Sequence, residues 1–308
     1  MSWIEIHLNI PQQKLEDISA FLFAMGCEGI HLNEQEVIVY FNKYKWSGEI
    51  QAGLVEYIRQ TIPGFNHRYI QVRAISDYDW DNNWKQQFKP LRITSTIVVL
   101  PPWEKYPIRN EDLAVVINPQ MAFGTGQHES TQLMIMALAK KIKKGMDVLD
   151  VGTGSGILAI IAGKLGAGSV TAIDNDVQAI KNAMENANLN AVPAEGVRFM
   201  LASLEHLIPR EFDLILANIN RNVLVNYAGL FPDYTKIGGQ VILSGILAAD
   251  DLIVEEAYRK HGFRLVSKQI KKEWLALIFK LISKSKKDET GRYRSGNELR
   301  SAADWTSP

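Results

Sequence analysis

Only one cysteine, Cys27, stands in 308 residues. That excludes an internal disulfide framework and a cysteine-rich metal site, and it fits a reducing, cytoplasmic setting. Long apolar runs are also lacking: no stretch approaches the roughly 18 residues that a membrane helix needs. The start of the chain shows no basic-then-apolar signal pattern, because Glu5 and His7 interrupt its alternating apolar residues. A soluble protein with no membrane partner is expected. Neither sign of charge is in excess, 34 basic residues facing 34 acidic ones. No global positive field is therefore available to hold a nucleic acid backbone, which argues against direct, sequence-specific nucleic acid binding.

What is present divides into segments with different rhythms. In residues 1–77, Ile4, Ile6, Leu8 and Ile10 alternate as in a half-buried strand, and Leu15, Ile18, Leu22 and Met25 then recur at helical spacing up to Gly26. Cys27–Leu32 and Val37–Phe41 read as short strands. A second helix with Ile50, Leu54, Tyr57, Ile58 and Ile62 on one face leads to a strand over Arg68–Ile75. The order βαββαβ is that of a ferredoxin-like α+β domain. It holds no cluster of chemical residues, so it is expected either to recognise a partner or substrate, or to serve stability or dimerisation. Residues 78–92 form a linker rich in aromatics, with Trp80, Trp84 and Phe88 expected to pack at the domain boundary. From 93 to 282 the pattern becomes βα alternation, which predicts a mostly parallel, doubly wound sheet. A single helix is expected over Asn222–Tyr234 and a strand over Gln240–Ser244. The last two strands, Arg264–Lys271 and Trp274–Leu281, are joined only by Lys272-Glu273 and must be antiparallel. One reversed strand at the end of a parallel set fits a seven-stranded, Rossmann-like methyltransferase sheet better than a dehydrogenase. Residues 283–308 have few apolar side chains and are expected to be a disordered tail.

The chemistry concentrates at strand ends of the second domain. Val148–Gly156 joins an apolar strand to an apolar helix through Gly152, Gly154 and Gly156, and Asp174 closes the next strand. Glycines there let backbone approach a ligand, and a carboxylate at that edge accepts ribose hydroxyls. The spacing is G-x-G-x-G, and Asp150 stands just before the loop, where an acidic group would repel a diphosphate and suit a cationic sulfonium. S-adenosyl-L-methionine is the expected cofactor. A second loop carries Phe123, Gly124, Thr125, Gly126, His128, Ser130 and Thr131 directly before a helix. Thr131 reads either as a cofactor ligand or, with Ser130, as a helix cap. His128 reads either as a base or as a structural histidine. Asn218 ends the fourth strand at the edge where Gly152 and Asp174 lie, which places it near a reacting methyl. Ile219 and Asn220 replace the prolines and aromatic that follow such an asparagine in enzymes acting on planar amide or base nitrogens. An sp³ amine is the better acceptor.

On the loop Phe123–Thr131, the stretch Leu149–Ile157, Ala217-Asn218-Ile219, Trp80 with Trp84 and the small N-terminal domain, the chain resembles the PrmA family, methyltransferases of large-subunit ribosomal protein eleven (L11). The resemblance runs to about residue 282. It implies that Thr131, Gly152, Asp174 and Asn218 bind S-adenosylmethionine, Gly154 lying in the same cradle, with Phe123 and Thr125 closing over the methionine end. It also implies that the N-terminal domain recognises L11, free or on the ribosome, and that the α-amine and lysine ε-amines of L11 are methylated. Asn220-Arg221-Asn222 departs from a small apolar run, and Ser130 stands where threonine is common. Another protein or RNA acceptor, and a non-catalytic S-adenosylmethionine-binding module for ribosome assembly, are the alternative readings. A nicotinamide dehydrogenase is a more distant one.

Overall fold

The computed structural model describes residues 3–10, 18, 21–22, 25–32, 36–62, 70–75, 85, 88–119, 124–193 and 196–284. Trp80, Trp84, Phe123 and residues 285–308 of the expected tail lie outside the described residues. The chain divides into two units, residues 1–87 and 88–308.

In the first unit, β1 (Trp3–Leu8), β2 (Cys27–Leu32), β3 (Val37–Asn42) and β4 (Ile70–Ile75) form an antiparallel sheet in the order β2-β3-β1-β4. Helix α1 (Gly48–Thr61) connects β3 to β4 and starts at Ser47, whose side chain accepts from the Ile50 amide at 3.3 Å. The alternation seen in the sequence turns Ile4, Ile6 and Leu8 inward. They pack with Leu54 and Ile58 of α1 and with Ile18 and Leu22, which are themselves helical. This is the sheet order of the ferredoxin-like sandwich.

The second unit is built on a seven-stranded sheet in the order β10-β9-β8-β11-β12-β14-β13. Its strands are β8 (Asp147–Val151), β9 (Ser169–Asp174), β10 (Val197–Leu201), β11 (Phe212–Asn218), β12 (Thr235–Leu247), β13 (Phe263–Lys271) and β14 (Trp274–Leu281). Those from β8 to β12 pair in parallel, and β14 runs antiparallel to both β12 and β13. The tight turn at Lys272-Glu273 is what reverses it. Helices α2 (Glu129–Lys141), α3 (Ile157–Lys164), α4 (Val177–Leu189), α5 (Arg221–Tyr227), α6 (Phe231–Tyr234) and α7 (Asp251–Lys260) connect the strands. Two separate cores result: Val148, Leu214 and Leu216 pack with α2 and α3, while Leu149, Ile215 and Val241 pack with Phe231, Val254 and Tyr258. Burial on both sides explains why these strands read as continuous apolar runs.

Three local outcomes differ from the sequence expectation. Strands β6 (Ile97–Leu100) and β7 (Leu113–Val116) do not join the large sheet but form a small one with β5 (Leu91–Arg92), in the order β5-β6-β7. The expected helix over Asn222–Tyr234 is broken into α5 and α6, because Pro232 at the start of α6 has no N–H to donate and its ring blocks continuation from the preceding turn. Strand β12 extends well beyond Gln240–Ser244 in both directions.

Tyr258 is fully buried, stacks on Phe279 with ring centroids 5.0 Å apart, and donates from its hydroxyl to the Leu224 carbonyl at 3.0 Å. Removing that hydroxyl in Tyr258→Phe should lower unfolding free energy by about 1 kcal/mol in urea titrations. Tyr258→Ala, which also opens a cavity, should lower it by about 3–5 kcal/mol.

Candidate active site

The parallel register brings the strand ends together. Val151 pairs with Ile173 and with Ala217, and Asn218 pairs with Ser244. The carboxyl ends of β8, β9 and β11 therefore form one edge with the Ser244–Gly245 part of β12, and it opens into a cavity of about 530 Å³. Gly152, Gly154, Asp174 and Asn218 line it, with His128 and Trp274 also on its wall.

At the first turn Gly152, Gly154 and Gly156 adopt φ values of 71°, 55° and 80°. These are left-handed conformations open to glycine and strained for other residues. The amides of Gly152 and Thr153 are occupied by the Ile173 carbonyl, at 2.9 and 3.0 Å. Asp174 is held by two backbone amides: its Oδ2 accepts from Gly154 at 2.9 Å and its Oδ1 from Asp176 at 3.0 Å. Each oxygen keeps a lone pair beyond those bonds, and the residue lines the cavity. An oriented, partly exposed carboxylate suits a pair of vicinal hydroxyls.

Three buried asparagines four residues apart, Asn182 and Asn186 on α4 and Asn190 at its C-terminal cap, fasten the neighbouring segments. Asn190 exchanges hydrogen bonds with both the amide and the carbonyl of Val116, at 2.9 and 2.6 Å. Asn186 accepts from the Asn118 amide at 2.8 Å and donates to the Ser155 carbonyl at 2.9 Å and to Asn182 Oδ1 at 2.7 Å. Ser155 in turn donates from Oγ to the Gly124 carbonyl at 2.6 Å. The residues on both sides of the undescribed 120–123 stretch are thus tied to the glycine loop or to the helix behind it. Thr125 lies in this part but lines a separate small hollow with Phe88 and Ile117.

Helix α2 is capped by His128, which accepts the Ser130 amide at Nδ1 (3.3 Å), rather than by Ser130 or Thr131. The same nitrogen lies 2.7 Å from Ser130 Oγ, so this end of the ring is engaged by the first turn of α2. Burial pushes the pKa of this imidazole down, which keeps it neutral. Its ring meets Trp274 edge to face, centroids 4.5 Å apart. Lys272 pairs with Glu129 at 2.5 Å and Lys271 bonds Gln132, so the β13–β14 turn is fastened to the start of α2. Thr131 is 1% exposed and its Oγ1 accepts from Asn218 Nδ2 at 3.2 Å. The other end of that amide is different: Asn218 Oδ1 is buried and has no hydrogen-bond partner. A buried carbonyl oxygen left unpaired at a cavity wall is an acceptor held ready for a donor.

Asp150 corrects one electrostatic reading of the sequence. It does not form an acidic rim; it is 1% exposed beneath the loop, with Oδ2 accepting from Thr153 Oγ1 at 2.7 Å and Oδ1 unpaired. Burial pushes its carboxyl up to about 7, with the charge of Asp174 adding to the rise. The acidic group facing the cavity is Asp174. Sequence reading also passed over Trp274, Tyr227 and Gly245, all on the cavity wall. Gly245 directly follows the expected strand end at Ser244, a position that marks the functional edge. Trp274 and Tyr227 carry no local mark, because only the tertiary fold brings them there. Among the described residues no group of three or more His, Cys, Asp or Glu is arranged to hold a metal ion, and no helix is long and apolar enough to cross a membrane.

A folded-state pKa raised above the unfolded value of about 3.9 means that the Asp150 contribution is fully favourable at low pH and is lost as pH rises through about 7. The unfolding free energy of Asp150→Asn relative to the unsubstituted chain should therefore increase by about 1 kcal/mol per pH unit between about pH 4 and 7 and then level off. Chemical denaturation at a series of pH values checks this; a flat difference would remove Asp150 as a titrating group.

A family model described as ribosomal protein L11 methyltransferase (PrmA) matches residues 2–281. A ribosomal protein L11 methyltransferase of Acetivibrio thermocellus is 33% identical over 316 aligned residues, covering 92% of this chain and 99% of that protein. One from Geotalea uraniireducens is 33% identical over 314, again covering 92% and 99%. The crystal structure of a ribosomal protein L11 methylase from Lactobacillus delbrueckii subsp. bulgaricus superposes with a TM-score of 0.60 at 32% identity, covering 64% of this chain and all of that one. With the sheet order and the glycine loop in agreement, the chain belongs to the PrmA family of ribosomal protein L11 methyltransferases.

Proposed function

We propose that the chain transfers methyl groups from S-adenosyl-L-methionine to amines of ribosomal protein L11, the N-terminal α-amine and lysine ε-amines. The observation that carries the reading is the Asn218 amide, fixed at Nδ2 by Thr131 and unpaired at Oδ1, on the wall of a cavity that also holds the oriented Asp174 carboxylate. The residues present fit the cofactor: Asp174 has lone pairs for the ribose hydroxyls, and the backbone of Gly152 and Gly154 lines the same cavity. When bound, S-adenosylmethionine supplies an electrophilic methyl on sulfur, and its transfer to nitrogen leaves a neutral thioether.

The residues of the chain then have distinct tasks. Asn218 Oδ1 accepts an N–H of the acceptor amine and so aims the nitrogen lone pair. Val151, Ile173, Ile219, Val223 and Trp274 supply apolar wall, which favours the neutral amine over the ammonium that has no lone pair to give. No base is required of His128 in this scheme; the proton leaves to water before attack, and positioning supplies much of the rate. Thr131 acts through Asn218, and Gly154 acts through its amide on Asp174. For Phe123 and Thr125 we retain the part that family resemblance implies, closing over the methionine end. We likewise assign recognition of L11 to residues 1–77, joined by 78–92 to a catalytic domain over 93–282, in a cytoplasmic protein.

Asp174→Ala should weaken S-adenosylmethionine binding about a hundredfold or more in calorimetry; unchanged affinity would sink the ribose assignment. In a tritiated-methyl assay against free L11, free ribosomal proteins and whole ribosomes, label should appear in L11 and map to amines by mass spectrometry. Asn218→Ala should lower kcat about a hundredfold with little change in cofactor affinity. Label in RNA or in another protein would replace the acceptor, and intact binding with no turnover would make the chain a non-catalytic module.

A further inference from the structure

Ile219, directly after Asn218, is held from two sides. Its side chain occupies the space that a Cβ on Gly152 would take, such a Cβ colliding with Ile219 Cγ2. On the other side Gly245 (φ +80°) lies against its backbone: a Cβ there would stand 2.5 Å from the Ile219 carbonyl oxygen, 3.0 Å from its carbonyl carbon and 3.2 Å from its amide nitrogen. These are main-chain atoms, with no rotamer through which to swing away. Gly152, Ile219 and Gly245 all line the cavity.

The close approach has a cause in β12. Between Leu243 and Ile246 the strand takes three steps while its partner β14 takes two, from Leu277 to Leu275. The extra residue is a bulge, which bends a strand and re-aims the residues after it. Ser244 is anchored beside it, paired with Asn218 and donating from Oγ to the Leu275 carbonyl at 2.9 Å. The bulge thus brings Gly245 up to the turn after Asn218, and only a residue without Cβ leaves that turn its place.

We propose that Gly245 is a positioning residue for methyl transfer: it lets the bulged backbone of β12 support Ile219, and so sets where the Asn218 amide stands relative to the glycine loop. This rests on the reading of Asn218 as the amide beside the acceptor nitrogen. Neither side chain nor polar atom of residue 245 acts on substrate; its effect passes through Ile219.

Gly238 provides the control. It lies on the same strand with φ +84°, but a Cβ there would meet only the flexible end of Lys280, at 3.7 Å. Alanine at either position carries the same backbone strain, and only at 245 does it strike the turn. In protein with 15N-labelled asparagine and bound S-adenosylhomocysteine, the Asn218 side-chain amide pair is identified by its loss in Asn218→Ser. Gly245→Ala should shift that pair and Gly238→Ala should leave it in place. With L11 as acceptor, Gly245→Ala should lower kcat about ten- to a hundredfold while the KM for S-adenosylmethionine stays within about twofold. Gly238→Ala should keep both within about twofold. Should Gly245→Ala not fold, Ile219→Ala withdraws the wedge from Gly152 and should give the same shift and the same loss. An unmoved amide pair, an equal loss of kcat in both glycine variants, or a loss confined to KM overturns the proposal. Absence of L11 methylation by the unsubstituted chain would overturn the acceptor reading instead, and the amide shift would still judge Gly245.

Discussion

Parallel pairing of β9, β8, β11 and β12 ends the first three strands along one line level with Ser244 of the fourth, and the cavity opens at that line. Because Val151 stands level with Ile173 and Ala217, and Asn218 with Ser244, the residues after them emerge side by side. The strands themselves are buried on both faces and have no freedom to slip, since a one-residue shift would exchange two packed apolar faces. The turns after them inherit that rigidity. A site built this way needs few of its own side chains to be held by other side chains; the sheet holds the backbone from which they project.

What the sheet does not hold, hydrogen bonds from buried amides do. Strand β7 is an edge of its small sheet, and at its last residue Asn190 replaces a strand partner by bonding both polar groups of Val116. Asn186 then joins Asn118 to Ser155, so a segment far away in sequence is pinned to the glycine loop by a helix that belongs to neither. Buried asparagines are favourable only when fully satisfied, and these spend their donors and acceptors on backbone groups that would otherwise be orphaned.

Charge is distributed with the same economy. Two carboxylates, Asp150 and Asp174, stand close at the first turn, one buried and the other facing the cavity. Burial raises Asp150 toward neutral pH, while Asp174 is the carboxylate on the cavity wall, where two backbone amides orient it. His128, whose pKa is lowered by burial, lines the cavity and caps α2. In the proposed reaction positioning and desolvation stand in for a dedicated base, and Asn218 Oδ1 is the one buried acceptor left unpaired among the described cavity-lining side chains.

The sequence by itself determined the large sheet, its reversed last strand and the edge at which the cavity opens, because apolar runs, helical spacing and a two-residue turn are local patterns with local causes. It also marked Gly152, Asp174 and Asn218, each at the end of a strand. Pro232 is a local helix breaker, and the break between α5 and α6 falls just before it. Tertiary structure alone decided the rest. Asp150 looks like a rim carboxylate until packing buries it, the His128 ring is committed by its place at the start of α2, and Trp274 reaches the cavity only because a hairpin folds back against that helix. Gly245 depends on a bulge that exists only when β12 meets β14. Such features arise from backbone atoms meeting across long sequence separations, and no window of residues encodes a distance between two strands.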